Sequence, residues 1–235
     1  MRYYLIAGEA SGDLHGSNLM KALKETDPNA EFRFYGGDLM QAIGGTLVKH
    51  YREMAFMGFM DVLANIRTIT RNLRICKRDL LNYRPDVLIL IDYAGFNLRI
   101  SSFSYNNSIK TLFYISPKVW AWKKKRIKKL KKYIRKLFVI FPFEVEYFRN
   151  NGLEVEFYGN PLMDSMAQFH KTLDSGFDFR KEYSLSDKPI IALLCGSRRH
   201  EISRCLPEMV KATNEFPEYE FVVAGTSSIP DKLYL

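Results

Sequence analysis

The run Val87-Leu88-Ile89-Leu90-Ile91 sets five aliphatic residues in succession, with no polar face to offer to water. Such a strand is stable only when covered on both sides, as inside a parallel sheet. Tyr3-Tyr4-Leu5-Ile6 reads the same way and leads at once into Ala7-Gly8-Glu9-Ala10-Ser11-Gly12-Asp13. The two glycines permit a tight turn, after which Leu14, Leu19, Ala22 and Leu23 space out like one face of a helix. Strand, glycine turn and helix open a doubly wound α/β domain, whose ligands sit beyond the carboxyl ends of the strands. The turn is neither G-x-G-x-x-G nor a P-loop, so neither a dinucleotide nor ATP is indicated. Glu9 and Ser11 are not needed to make it, and both present polar groups to that edge.

The same rhythm continues. Glu31 to Tyr35 reads as a strand closed by Gly36-Gly37, followed by a short helix around Leu39 to Ile43 and an extended Thr46 to His50. Val62, Leu63, Ile66, Ile69, Leu73 and Leu80 predict a long helix from Asp61 to about Tyr83, ended by Pro85. Asp92 then stands at the carboxyl end of the 87–91 strand. Thr111 to Ile115 is a strand, and Ile127, Leu130, Ile134 and Leu137 predict one apolar stripe on a basic helix. Leu137 to Phe141 reads as a strand, Phe143 to Asn150 as a helix, and Val155 to Tyr158 as a strand ending in Gly159-Asn160-Pro161. The rhythm lapses at His170 to Lys188, which places a linker over 171–188 between a domain at 1–170 and another from 189. Ile190 to Leu194 then opens a second unit, with a phosphate-sized turn at Cys195-Gly196-Ser197-Arg198, a helix from Glu201 and a strand at Glu220 to Val223. A complete α/β domain needs about 100–150 residues, so the chain reads as ending inside its second domain.

Charge narrows the partners. The net charge is +9 over 235 residues, and no acidic residue lies between Asp92 and Glu144, an interval holding thirteen Lys or Arg. Ten of these fall within Lys123 to Lys136. A field of one sign calls for an anionic partner: phosphate groups, nucleic acid or an anionic membrane. Trp120 and Trp122 beside Lys124 and Lys128 read as an interfacial anchor. Met57, Phe59 and Met60, within the apolar stretch Met54 to Met60, read as a second membrane contact. A nucleic-acid module is the rival, but the tryptophans flank the basic run instead of interleaving with it. The three cysteines form no C-x-x-C pair and the four histidines are scattered, so no metal site is expected and a reducing cytoplasm is. No apolar run is long enough to cross a bilayer, and the N-terminus does not read as a signal peptide.

Gly8-Glu9-Ala10-Ser11-Gly12-Asp13, Ile91-Asp92 with Phe96-Asn97, Ser116-Pro117-x-Val119-Trp120-Ala121-Trp122, Gly159-Asn160-Pro161 and Gly196-Ser197-Arg198 together resemble the lipid-A-disaccharide synthases in order and spacing. The resemblance implies a GT-B fold of two Rossmann-like domains. It also implies an inverting transfer from UDP-2,3-diacylglucosamine to 2,3-diacylglucosamine 1-phosphate, with no metal or other cofactor, on the inner face of the inner membrane. A homodimer and a different GT-B enzyme acting on UDP-amino sugars stay open. One base suffices for such a displacement, because UDP leaves without being protonated. Asp92 is the first choice for that base and Glu9 the second. Arg198 and Ser197 suit the diphosphate at a helix N-terminus, while Ser11, Asn160 and the backbone at Gly8 and Gly12 suit sugar or phosphate. The chain departs from the family pattern at Ala94-Gly95, where Pro-Asp is usual, and at Cys195, where Pro is common.

Overall fold

The computed structural model describes residues 1–54, 65–121, 123–173, 176–226 and 228–234. It divides into two compact units, Met1–Phe169 and His170–Leu235. The first unit is one seven-stranded parallel sheet: β1 (Arg2–Ala7), β2 (Glu31–Gly36), β3 (Thr46–His50), β4 (Val87–Ile91), β5 (Thr111–Tyr114), β6 (Lys136–Val139) and β7 (Glu156–Phe157). Their order across the sheet is β3-β2-β1-β4-β5-β6-β7, so the direction of winding reverses between β1 and β4. That reversal opens a crevice at the carboxyl edge between the two strands.

The apolar runs behave as their composition requires. Alternate residues of β1 and β4 feed two separate cores. Tyr4, Ile6, Leu88 and Leu90 face one side with Cys76, Leu80 and Phe96. Tyr3, Leu5, Ala7, Val87, Ile89 and Ile91 face the other with Met20, Phe34 and Met40. The helices covering these faces are α1 (Ala10–Thr26), α2 (Asp38–Ile43), α3 (Ile66–Tyr83), α4 (Ala94–Asn106), α5 (Ile127–Tyr133) and α6 (Pro142–Asn150); α7 (Pro161–Thr172) follows. The Asp61 start of the long helix lies outside the described residues, as do Met57, Phe59, Met60 and Trp122.

Two expectations are corrected. The leucine face of α1 is only partly buried, with Leu19 and Leu23 packed against the core and Ala22 exposed; its fully buried residues are Gly12, Asp13, Gly16, Ser17 and Met20. Small residues let the helix lie close on the sheet: a Cβ added at Gly16 would stand 2.6 Å from the Met40 sulfur and 3.2 Å from Ile91 Cδ1. The basic segment is not one helix either. Lys124–Arg126 form a 3₁₀ turn and α5 ends at Tyr133, while Ile134 is extended and Leu137 belongs to β6. Sheet pairing overrides the helical spacing there, and Lys136 on β6 bonds Glu156 on β7 at 2.8 Å.

The second unit pairs β8 (Ile190–Leu193) with β9 (Glu220–Val223) in parallel, joined through α9 (Arg199–Thr213). A short helix, α8 (Phe179–Glu182), precedes them. Cys195, Ile202 and Leu206 form its small core.

Candidate functional site at the carboxyl edge of the sheet

In the parallel register Ala7 stands beside Ile91, so the chain leaves β1 through Gly8-Glu9 and leaves β4 through Asp92-Tyr93 at the same edge. The backbone is strained there. Asp92 (φ 40°), Tyr93 (φ 44°) and Ile115 at the end of β5 (φ 66°) all adopt the left-handed region, which disfavours side chains. Asn97 stabilises the turn. Buried in α4, its Nδ2 donates to the carbonyls of Ile91 (3.2 Å) and Asp92 (2.8 Å), with a longer contact to Ile6 (3.4 Å). Gly8 is fixed by packing, because a Cβ there would fall 2.3 Å from the Tyr93 ring. Tyr93 itself donates to the Met54 carbonyl at 2.7 Å.

Asp92 is exposed to solvent, although the surrounding protein displaces part of the water from its carboxyl. Its carboxyl is pushed up from 3.8 to about 6, first by burial and next by the like charge of Glu9; Lys118, the Tyr93 N–H and Arg126 pull the other way. Tyr93 is pushed up to about 12, again by burial and then Glu9, against Arg99. Glu9, Lys118 and Arg126 therefore act on Asp92, and Glu9 and Arg99 on Tyr93 beside it. Ser11, in the first turn of α1, is exposed.

The sequence reading passed over three groups. Asp13, 3% exposed, accepts from the backbone N–H of Gly37 (2.7 Å), Leu39 (3.0 Å) and Met40 (3.0 Å), holding the β2–α2 turn against α1. Glu144, completely buried, accepts from Ser116 Oγ (3.1 Å), Trp120 Nε1 (3.0 Å) and the N–H groups of Ile140 (3.2 Å) and Phe141 (3.1 Å). Phe141-Pro142-Phe143-Glu144 was a readable signal, since Pro opens a helix and Glu at its third position reaches back to the cap. Lys118 is the third, its ammonium 3.6 Å from Glu144 and 4.6 Å above the Phe141 ring.

Other singled-out residues fall elsewhere. Trp120 is 40% exposed, with its ring edge-on to Phe143 at 5.0 Å. Lys124 and Lys128 are exposed. Asn160 caps α7, accepting from Leu162 N–H at 3.0 Å. Gly12 lies under the sheet end, where a Cβ would approach Ala7 Cβ to 3.1 Å. In the second unit, Ser197 N–H donates to Glu201 Oε2 (3.1 Å) and Arg198 to Glu201 Oε1 (2.9 Å) at the start of α9. Arg198 holds the Glu201 carboxyl below its ordinary range. Gly196 adopts φ +106° there.

Among the described residues, no helix is long and apolar enough to cross a membrane, and no cluster of three His, Cys, Asp or Glu offers a metal site.

A family model described as lipid-A-disaccharide synthetase matches residues 3–227. A lipid-A-disaccharide synthase of Geobacter metallireducens is 37% identical over 238 residues, covering 98% of this chain and 60% of its own length. Lipid-A-disaccharide synthase 1 of Legionella pneumophila is 39% identical over 240 residues, covering 99% and 61%. The chain thus spans about 60% of the length of these relatives. Among solved structures, the UDP-GlcNAc 2-epimerase of Neisseria meningitidis bound to UDP-GlcNAc superposes with TM-score 0.67 at 10% identity, covering 97% of this chain and 66% of that one. The S. aureus MnaA–UDP co-structure gives 0.68 at 13% identity, covering 99% and 64%. These likenesses show the fold, a GT-B-like α/β architecture.

Proposed function

Because the chain belongs to the lipid-A-disaccharide synthetase family, we propose that it carries the acceptor side of an inverting glycosyl transfer. The reaction joins UDP-2,3-diacylglucosamine to 2,3-diacylglucosamine 1-phosphate through a β-1,6 bond. The observation that carries this reading is the pairing of Asp92 and Glu9 at the end of adjacent central strands, with the Asp92 carboxyl raised to about 6. A base so placed is ionised at neutral pH yet basic enough to take a proton from a hydroxyl.

In the proposed step Asp92 accepts the proton of the acceptor's 6-hydroxyl as its oxygen attacks the anomeric carbon of the donor from the face opposite UDP. The new C–O bond forms, the old one breaks, and UDP departs with the electron pair. Lys118, anchored by Glu144, offsets the like charge of Glu9 and keeps Asp92 ionised. In the second unit, Arg198 and the N-terminus of α9 would meet the UDP diphosphate, with Arg198 exchanging Glu201 for phosphate oxygens. Ser11 and Asn160 are proposed as sugar contacts.

The 3₁₀ turn and α5, with Trp120 beside them, are proposed to rest on an anionic membrane as a peripheral attachment on the inner face of the inner membrane. Each Lys or Arg at such a surface is worth about 1 kcal/mol, so the attachment is salt-sensitive.

The test is release of UDP and formation of the disaccharide, followed by mass spectrometry, with the protein expressed from its complete reading frame. Turnover that requires both acylated sugars supports the reading. Turnover of non-acylated UDP-amino sugars alone would replace it with another enzyme of the same fold.

A further inference from the structure

We propose that the outer face of α3 is a docking surface for an anionic lipid bilayer, gripped through a line of four arginines. It adds a second contact, on a different helix, to the peripheral attachment argued above.

Asn72, Cys76 and Leu80 are the buried residues of α3 and mark the side that faces the sheet. Arg67, Arg71, Arg74 and Arg78 are all exposed. At about 100° per residue they fall within an arc of about 60°, opposite the buried line, and span about 16 Å along the axis. No acidic residue lies between Asp61 and Asp79. Asp79 itself is engaged elsewhere, accepting from Arg33 Nε (2.8 Å), Arg33 Nη2 (2.7 Å) and Tyr4 Oη (2.7 Å). Among the described residues, none of the four guanidiniums has an ion-pair or hydrogen-bond partner. Such a line costs the helix stability. Like charges three and four residues apart repel, and Arg67 sits in a first turn that carries no acid, against the helix dipole. A face that served solubility alone would interleave both signs.

Helices α3, α4 and α5 cover one face of the sheet. Both α3 and α5 pack on α4, Lys77 lies over the Phe103 ring at 5.2 Å, and all three helices feed one core through Cys76, Phe96 and Leu130. The arginine line and the exposed Lys124 and Lys128 therefore belong to the same layer, and one broad anionic plane can meet both. Ile66 and Leu81, near the two ends of α3, are 49% and 46% exposed and add apolar contact beside the guanidiniums. Arginine suits phosphate headgroups because its planar fork grips two oxygens and is weakly hydrated. A ridge with apolar flanks fits a bilayer better than nucleic acid, which basic grooves hold with stacking aromatics.

The experiment is co-sedimentation of this chain with phosphatidylcholine vesicles, either pure or carrying about a quarter phosphatidylglycerol. Each cation at such a surface is worth a factor of about five, so Arg67→Gln, Arg71→Gln, Arg74→Gln and Arg78→Gln combined should weaken binding to the anionic vesicles by at least about 100-fold. Glutamine suits a helix and removes the repulsion, so the melting temperature should hold or rise. The four corresponding lysine substitutions should keep binding within about tenfold of wild type. Lys124→Gln with Lys128→Gln tests the attachment through α5 separately. Anionic-vesicle binding that survives the four glutamines overturns the proposal; if the lysine pair then abolishes it, α5 carries the attachment alone. Wild-type chain that binds both vesicles equally overturns it as well. So does a four-glutamine variant that loses single-stranded RNA while keeping the vesicles, which would make the partner a nucleic acid.

Discussion

Two strand-to-helix turns carry the charged groups of interest, and they are built in opposite ways. At the end of β4 the backbone is strained, and Asp92 is crowded by protein and a second carboxylate, with its cations on other elements. At the end of β8 the turn satisfies itself, because Glu201 accepts from both Ser197 and Arg198 one helical turn away. The first turn stores an unfavourable charge and is poised to take up a proton. The second holds its arginine in a local pair that a stronger anion must break. Position at the carboxyl edge is common to both; long-range packing around β4 makes the difference.

Breaking the first turn should have the largest effect. Asp92→Asn is expected to lower transfer by about 10²–10⁴-fold with UDP binding unchanged; a rate within a few-fold of wild type would remove Asp92 from the role. Asn tolerates the left-handed backbone, so this variant should fold. It should also be slightly more stable at neutral pH. The folded-state value of Asp92 lies above 3.8, so its ionisation subtracts stability as pH rises from about 4 through about 6. Asn does not ionise and escapes that loss, which thermal melting at pH 7 would reveal.

Next in size is Asp13→Ala, which strips three backbone N–H groups of their acceptor and should cost about 3 kcal/mol in urea unfolding. A cost below about 1 kcal/mol would show that water replaces the carboxylate. In the second turn, Gly196→Ala should cost about 1–2 kcal/mol, since φ is +106° and the new Cβ would stand 2.7 Å from that of Glu201. Glu201→Gln should do least: less than about 1 kcal/mol in stability, with tighter binding of UDP as Arg198 is released. Weaker UDP binding would mean that the pair positions the arginine instead of occupying it.

The central strands were legible because their chemistry leaves no choice: Val87–Ile91 has nowhere to go but between two layers. The glycine turn and the carboxyl-end placement of Asp92 followed from the same logic. Helix α1 was legible only in part: Leu19 and Leu23 do pack against the core, but the most deeply buried positions are mainly small and polar, and only Met40 and Ile91 across the interface explain the need for Gly16. Leu137 kept helical spacing while serving a strand, since local periodicity carries no record of sheet pairing. Asp13 and Lys118 were passed over for a related reason, since their partners lie 24 to 27 residues away in sequence, and Glu144 shows a local capping pattern but not its bonds to Ser116 and Trp120, 28 and 24 residues away. A one-dimensional reading finds residues that make a turn more readily than those that brace it from afar.

The most direct measurement is a carbon-detected NMR titration of the Asp92 side-chain carboxyl in this chain. A midpoint near pH 6 that falls when Glu9→Gln removes the neighbouring charge is the predicted result. A midpoint near the ordinary 3.8, unmoved by that substitution, would contradict the crowded opening on which the proposed chemistry depends.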